Sequence, residues 1–305
     1  MAEEIKQFVL KFKFFLVLSL SLYCVTENHN FLKDSEHQYK EFEIEDFNRV
    51  AVLTLEMQKA DSTSRKVELI LDTGANLSIL RKDPEVDFEK SVKLELNTIN
   101  SKISKEFGEV RVNLFDSSKK IHIKDAKFYS SELNQFLFKD GILGNDLLSN
   151  FTLFLEIPNR VYLISSPVHS SELEEFSKIP LRYDGSHLIV DVYISGKKYP
   201  FLLDTGAGIS CIDKSVLIEQ EHSENGNMNF FSVDGIINQT KLYRLNSICL
   251  NAKNCLDKME FISRKLEKIS YQDGTYLKGI LGRNWFENYS VIIDYKNQRM
   301  FIKKR

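Results

Sequence analysis

Two aspartates stand at the same place in two copies of one short pattern. Leu69-Ile70-Leu71-Asp72-Thr73-Gly74-Ala75 is echoed by Phe201-Leu202-Leu203-Asp204-Thr205-Gly206-Ala207. In each copy three apolar residues run straight into Asp-Thr-Gly-Ala. An apolar run of this kind reads as a buried strand. A carboxylate at the end of such a strand is costly unless it is paired or used. The glycine behind it lets the backbone turn sharply and come close to another backbone. One copy is weak evidence. Two copies with the same lead-in and the same trailing alanine mark Asp72 and Asp204 as the candidate chemical groups.

The segments around them repeat as well. Each half opens with a short strand, Glu41–Ile44 and Ile179–Arg182. An alternating strand follows, with Ala51, Leu53, Leu55 and Met57 on one face in the first half and Leu188, Val190, Val192 and Ile194 in the second. A turn then leads to each Asp-Thr-Gly strand, long at Lys59–Lys66 and tight at Ser195-Gly196-Lys197-Lys198. Downstream, the predicted hairpin of Val110–Phe115 with Ile121–Phe128 matches that of Leu245–Leu250 with Leu256–Ile262. Gly141-Ile142-Leu143-Gly144 matches Gly279-Ile280-Leu281-Gly282, and a short helical stretch follows each. Closing hairpins turn at Pro158-Asn159 and Asn297. Strand signals at short spacing, with few long helical patterns, predict an all-β class. The domain plan is a first lobe over 38–165, a polar linker over 166–175 and a second lobe over 176–305.

A chain of 305 residues with 43% hydrophobic and 28% charged content suits two globular lobes. Lys and Arg number 41 against 43 Asp and Glu, so no basic excess points to nucleic acid. The six histidines lie at no metal-ligand spacing. A phosphate-accepting aspartate would need strand–helix alternation and glycine-rich phosphate loops, and neither is visible. Ahead of the lobes, Lys11-Phe12-Lys13 precedes an apolar run, Phe14–Cys24, too short to span a bilayer comfortably. Residues 1–24 read as a signal peptide or, through Cys24, a lipoprotein signal, which implies export to the periplasm, cell envelope or exterior and allows membrane attachment through the N-terminus. Cys249 and Cys255 flank a predicted hairpin turn, where they would either form a disulfide or stay as two free thiols. Cys211 reads as a small core residue. Sequons at Asn76, Asn150, Asn238 and Asn288 read as coincidence, since a glycan on Asn76 would block the site.

The Asp-Thr-Gly-Ala and Gly-Ile-Leu-Gly motifs resemble those of the aspartic peptidases. The motifs are retroviral in type, and the single chain with two lobes resembles the pepsin-like enzymes. Gly282-Arg283-Asn284 also resembles the Gly-Arg-Asn of retroviral proteases. The resemblance implies two pseudo-symmetric acid-protease-like β lobes with one short helix each. It assigns the catalytic pair to Asp72 and Asp204, bracing bonds across the axis to Thr73 and Thr205, and close approach to Gly74 and Gly206. Gly144 and Gly282 then belong to the core strands behind the pair. It implies hydrolysis of peptide or protein substrates by an activated water in an intramolecular pseudo-dimer, with no metal or cofactor. The alternative is a catalytically inactive peptidase-fold binding protein of the cell envelope.

Three departures from the family pattern stand out. Asn76 and Gly208 replace the aspartate that follows Ala in retroviral enzymes, so Arg283 needs another partner. Gly144-Asn145-Asp146 replaces Gly-Arg-Asn in the first lobe. Asn97–Phe107 lacks a glycine-rich flap tip, which makes Phe231–Gly235, with Gly235, the flap candidate. Ala75 and Ala207 also lack the hydroxyl that pepsin-like enzymes usually carry there, which predicts a less acidic optimum than pepsin's.

Overall fold

A computed structural model describes residues 39–305 except 44, 48–49, 59–62, 83–88, 98–101, 132–138, 169–172, 232–236, 267–273 and 275. The segment Met1–Cys24 and the flap candidate Gly235 lie outside the described residues. The fold is all-β and built twice.

In the first half, β1 (Tyr39–Glu43), β2 (Glu45–Phe47) and β3 (Val50–Gln58) lead to β4 (Ser64–Leu71), which ends at Asp72. Then come β5 (Ile79–Arg81), β6 (Lys90–Asn97), β7 (Lys102–Phe115), β8 (His122–Ser131) and β9 (Gly141–Leu143). A helix at Asn145–Leu148 and the hairpin β10 (Thr152–Glu156) and β11 (Arg160–Ile164) close it. The second half repeats this with β12 (Ser177–Pro180), β13 (Arg182–Tyr183), β14 (Leu188–Ile194), β15 (Lys197–Leu203) and β16 (Cys211–Asp213). It continues through β17 (His222–Phe231), β18 (Ile237–Asn251), β19 (Asn254–Arg264) and β20 (Gly279–Leu281). A helix at Arg283–Phe286, β21 (Tyr289–Asp294) and β22 (Arg299–Lys304) end the chain.

The strand order shows the duplication directly. One eight-stranded sheet runs β2-β3-β4-β9-β5-β8-β7-β6, and the other runs β13-β14-β15-β20-β16-β19-β18-β17. A six-stranded sheet takes strands from both halves in the order β1-β11-β10-β21-β22-β12. Its centre is the antiparallel pair β10–β21, where Leu155 faces Val291. Each Asp-Thr-Gly strand lies parallel to an Ile-Leu strand, Ile70 beside Ile142 and Leu202 beside Ile280. The last three residues of β4 and of β15 are buried on both faces. That is why the apolar run is continuous there instead of alternating, and it is what carries each aspartate to the interior.

Several predicted elements change on folding. Ile179–Arg182 is not one strand: Leu181 separates β12, in the six-stranded sheet, from β13, in an eight-stranded one. The tight turn of the second half is Ser195-Gly196, both with positive φ, and β15 already begins at Lys197. Such a two-residue turn follows the right-handed twist of its strands. The second half has one helix more than expected, Lys214–Glu219, whose first turn is capped by Asp213 accepting from the Ser215 amide. The stretch read as a linker is pinned at its end by buried Leu173 and by Phe176, edge-on to Phe154. A long hairpin follows the Asp-Thr-Gly region in both halves, β6–β7 and β17–β18, so the first half forms one without a glycine-rich tip. Cys249 and Cys255 are cross-strand partners joined by a disulfide, and Cys211 is buried.

Candidate active site

The two Asp-Thr-Gly loops meet face to face, and each carboxyl sits over the other loop's glycine. A Cβ placed on Gly74 would lie 2.4 Å from Asp204 Cγ, and one on Gly206 would lie 2.5 Å from Asp72 Cγ. No side chain fits either space, so glycine is required by the approach itself. Behind the carboxyls the threonines interlock. The Thr73 amide donates to Thr205 Oγ1 at 3.0 Å, and the Thr205 amide donates to Thr73 Oγ1 at 3.1 Å. Each hydroxyl then donates across to the opposite strand, Thr73 to Leu203 O at 3.0 Å and Thr205 to Leu71 O at 2.7 Å. Both threonines are buried, so every polar atom of the brace is paired where water is excluded.

Each aspartate is held by its own loop. Asp72 Oδ1 accepts from the amides of Gly74 at 2.8 Å and Ala75 at 2.9 Å. Asp204 Oδ1 accepts from Gly206 at 2.9 Å and Ala207 at 3.0 Å. The two carboxyls lie close enough to shift each other's ionisation. Burial raises the pKa of Asp72, against the pull of the Gly74 and Ala75 amides. Burial, and then the charge of Asp72, pushes Asp204 well above the usual carboxylate range. Two facing carboxylates resist double ionisation, the effect for which aspartic peptidases are the type case, and the pair titrates as one unit.

A second layer repeats behind each loop. Gly144 N donates to Ser78 Oγ and Gly282 N to Ser210 Oγ, both at 2.9 Å. Ser78 Oγ donates to Asp146 Oδ1 at 2.6 Å, and Ser210 Oγ donates to Asn284 Oδ1 at 2.7 Å. Asp146 and Asn284 therefore do the same work on opposite sides of the axis. Neither serine was singled out by the sequence reading, although each stands at the same spacing after its aspartate. Arg283 finds its partner in Glu287, with Nε donating at 2.7 Å. Asn145, at the position matching Arg283, is fully buried between the halves. The structure thus brings together Asp72, Asp204, Thr73, Thr205, Gly74, Gly206, Gly144 and Gly282.

Comparison with known proteins agrees with this geometry. Residues 186–293 match the family described as "Retroviral aspartyl protease". The structure is similar to the aspartic proteinase of Irpex lacteus, with a TM-score of 0.57 at 14% identity over 87% of this chain and 97% of that one. The matched segment is of the retroviral aspartyl protease kind, and the whole chain has the two-lobed fold of a pepsin-like aspartic proteinase. This peptidase fold is also shared with the Basic 7S globulin of soybean, with a TM-score of 0.50 at 11% identity over 87% of this chain and 94% of that one. A search of curated proteins finds no significant match.

Proposed function

We propose that this peptidase-fold chain is an aspartic endopeptidase, with Asp72 and Asp204 as its catalytic pair. The observation that carries the reading is the mutual seating of the two carboxyls over Gly206 and Gly74. In this reading the ionised carboxyl takes a proton from a water, whose oxygen attacks the scissile carbonyl carbon. The protonated carboxyl donates to the carbonyl oxygen and stabilises the charge that develops there. Breakdown of the tetrahedral adduct returns the proton to the leaving amine and breaks the C–N bond, with no covalent intermediate on the protein. Substrates are peptides or proteins, and one chain supplies both halves of the pair, so a monomer suffices. The apolar run before Cys24 and the Cys249–Cys255 disulfide support an exported protein, free or held at a membrane through its N-terminus.

The rival reading is a peptidase fold that binds peptides without cutting them, and the fold shared with a protein named a globulin favours keeping it in view. A peptide library incubated with the chain, with and without a statine-type analogue, separates the two. The peptidase reading expects cleavage blocked by the analogue. It also expects a loss of about a thousandfold or more in Asp72→Asn and in Asp204→Asn. Peptide binding without cleavage in the parent, retained in both variants, would refute it.

A further inference from the structure

The two aspartates are alike in their own loops but not in what stands behind those loops. Tyr295, the residue after β21, donates its hydroxyl to Asn145 Oδ1 at 2.7 Å. Asn145 Nδ2 donates to Thr73 O and to Ser186 O, each at 2.7 Å. Thr73 O belongs to the same peptide group as the Gly74 N–H, and that N–H donates to Asp72 Oδ1 at 2.8 Å. The atoms form one unbroken chain from phenol to carboxylate. We propose that Tyr295 and Asn145 are positioning residues for the Asp72 carboxylate, acting through the Thr73–Gly74 peptide. A hydrogen bond accepted at a peptide oxygen polarises the group and makes its N–H a stronger donor, and burial magnifies the effect. Asn145 is fully buried and Tyr295 is 3% exposed, so water cannot replace either link.

The chain has a direction. Two carbonyls face the Asn145 amide nitrogen and a hydroxyl faces its oxygen, and the flipped amide would set oxygen against oxygen. Tyr295 remains a donor throughout the working range, because burial, then Tyr183 and Asp72, hold its pKa well above that of a free phenol. Asp204 cannot be served in the same way. The position matching Asn145 holds Arg283, and the position matching Tyr295, equally far past the Ile-Leu-Gly glycine, holds Ile157. The chain also ties the first loop to the second half. Ser186 sits in a turn whose Ser186 and His187 amides donate to Asp184 at 2.8 and 2.7 Å. The titratable groups around the chain are Asp204 against Asp72, Tyr183 edge-on to Tyr295, and Asp146, Asp184 and His187 on neighbouring turns.

The turnover readout rests on the peptidase reading, so the test adds one that does not. Tyr295→Phe keeps the ring and its contact with Tyr183 while removing the donor. In the full chain labelled with carboxyl-13C aspartate, the lower apparent pKa of the pair should rise by about half a unit. The acidic limb of the pH–rate profile should move up by the same amount. kcat should fall about threefold with KM held within twofold. Asn145→Leu should move each quantity further in the same sense. A parent without turnover would sink the peptidase reading, yet the titration would still decide this one. An unmoved titration in Tyr295→Phe overturns the proposal, as does a loss of thermal stability with pKa and acidic limb unchanged.

Discussion

At the scale of single residues, the pair is set by what surrounds it more than by the aspartates themselves. Both carboxyls are stripped of much of their water and face each other, so each is harder to ionise than a free side chain. The amides of residues 74 and 75, and of 206 and 207, pull the other way. Ala75 and Ala207 contribute only their backbone N–H groups. A serine at either place adds a hydroxyl donor to the ionised form and lowers its pKa. The acidic limb of the pH–rate profile should therefore move to lower pH by about half a unit in Ala75→Ser or Ala207→Ser. Rates measured between pH 2 and 8 check this, and an unmoved limb counts against any role for that position in setting the optimum.

At the scale of elements, the two loops hold together through the threonine brace. Thr205 Oγ1 both accepts from the Thr73 amide and donates to Leu71 O, in a place without water. Thr205→Val keeps the shape and orphans both groups. The expected loss is about 3 kcal/mol of unfolding free energy. Thr205→Ser, which retains the hydroxyl, should lose well under half of that. Urea midpoints at constant slope are the measurement. Equal losses in the two variants would mean that the methyl packing, not the hydrogen bonds, holds the loops.

At the scale of the whole molecule, opposing groups shape stability against pH. Burial and the charge of Asp72 raise Asp204, so its contribution is full below the unfolded carboxylate value of 3.8 and is lost as pH rises through the folded value. Asp116, Asp213 and Asp294 behave oppositely. Burial works against each, but donors such as Ile121 N, Ser215 Oγ and Arg299 outweigh it and lower the pKa. Their contributions are present above 3.8 and are lost as pH falls through the folded values. Parent stability should peak in the mildly acidic range. Asp204→Asn, inactive by the reading above, should gain stability on the neutral side and leave the acid side unchanged. Thermal unfolding of both proteins from pH 2 to 8 checks this. The β10–β21 pair joins both halves through one sheet, so a single transition is expected.

Much of this was already legible along the chain. Paired apolar runs into Asp-Thr-Gly-Ala, paired Gly-Ile-Leu-Gly and paired hairpins name the duplication, because strand burial and close backbone approach each demand particular residues locally. The serines at matched spacing, Ser78 and Ser210, were legible too and were passed over. Only the folded chain decided which groups meet across the axis. In the Tyr295–Asn145–Thr73 chain a single hydrogen bond joins residues 150 positions apart, and no local pattern marks a tyrosine for a distant amide. The shared role of Asp146 and Asn284 behind the two loops was likewise settled by contact, whereas Arg283 pairs locally, with Glu287 four residues on. Hydrogen bonding between remote segments depends on where sheets bring them, and sheet order is a property of the whole.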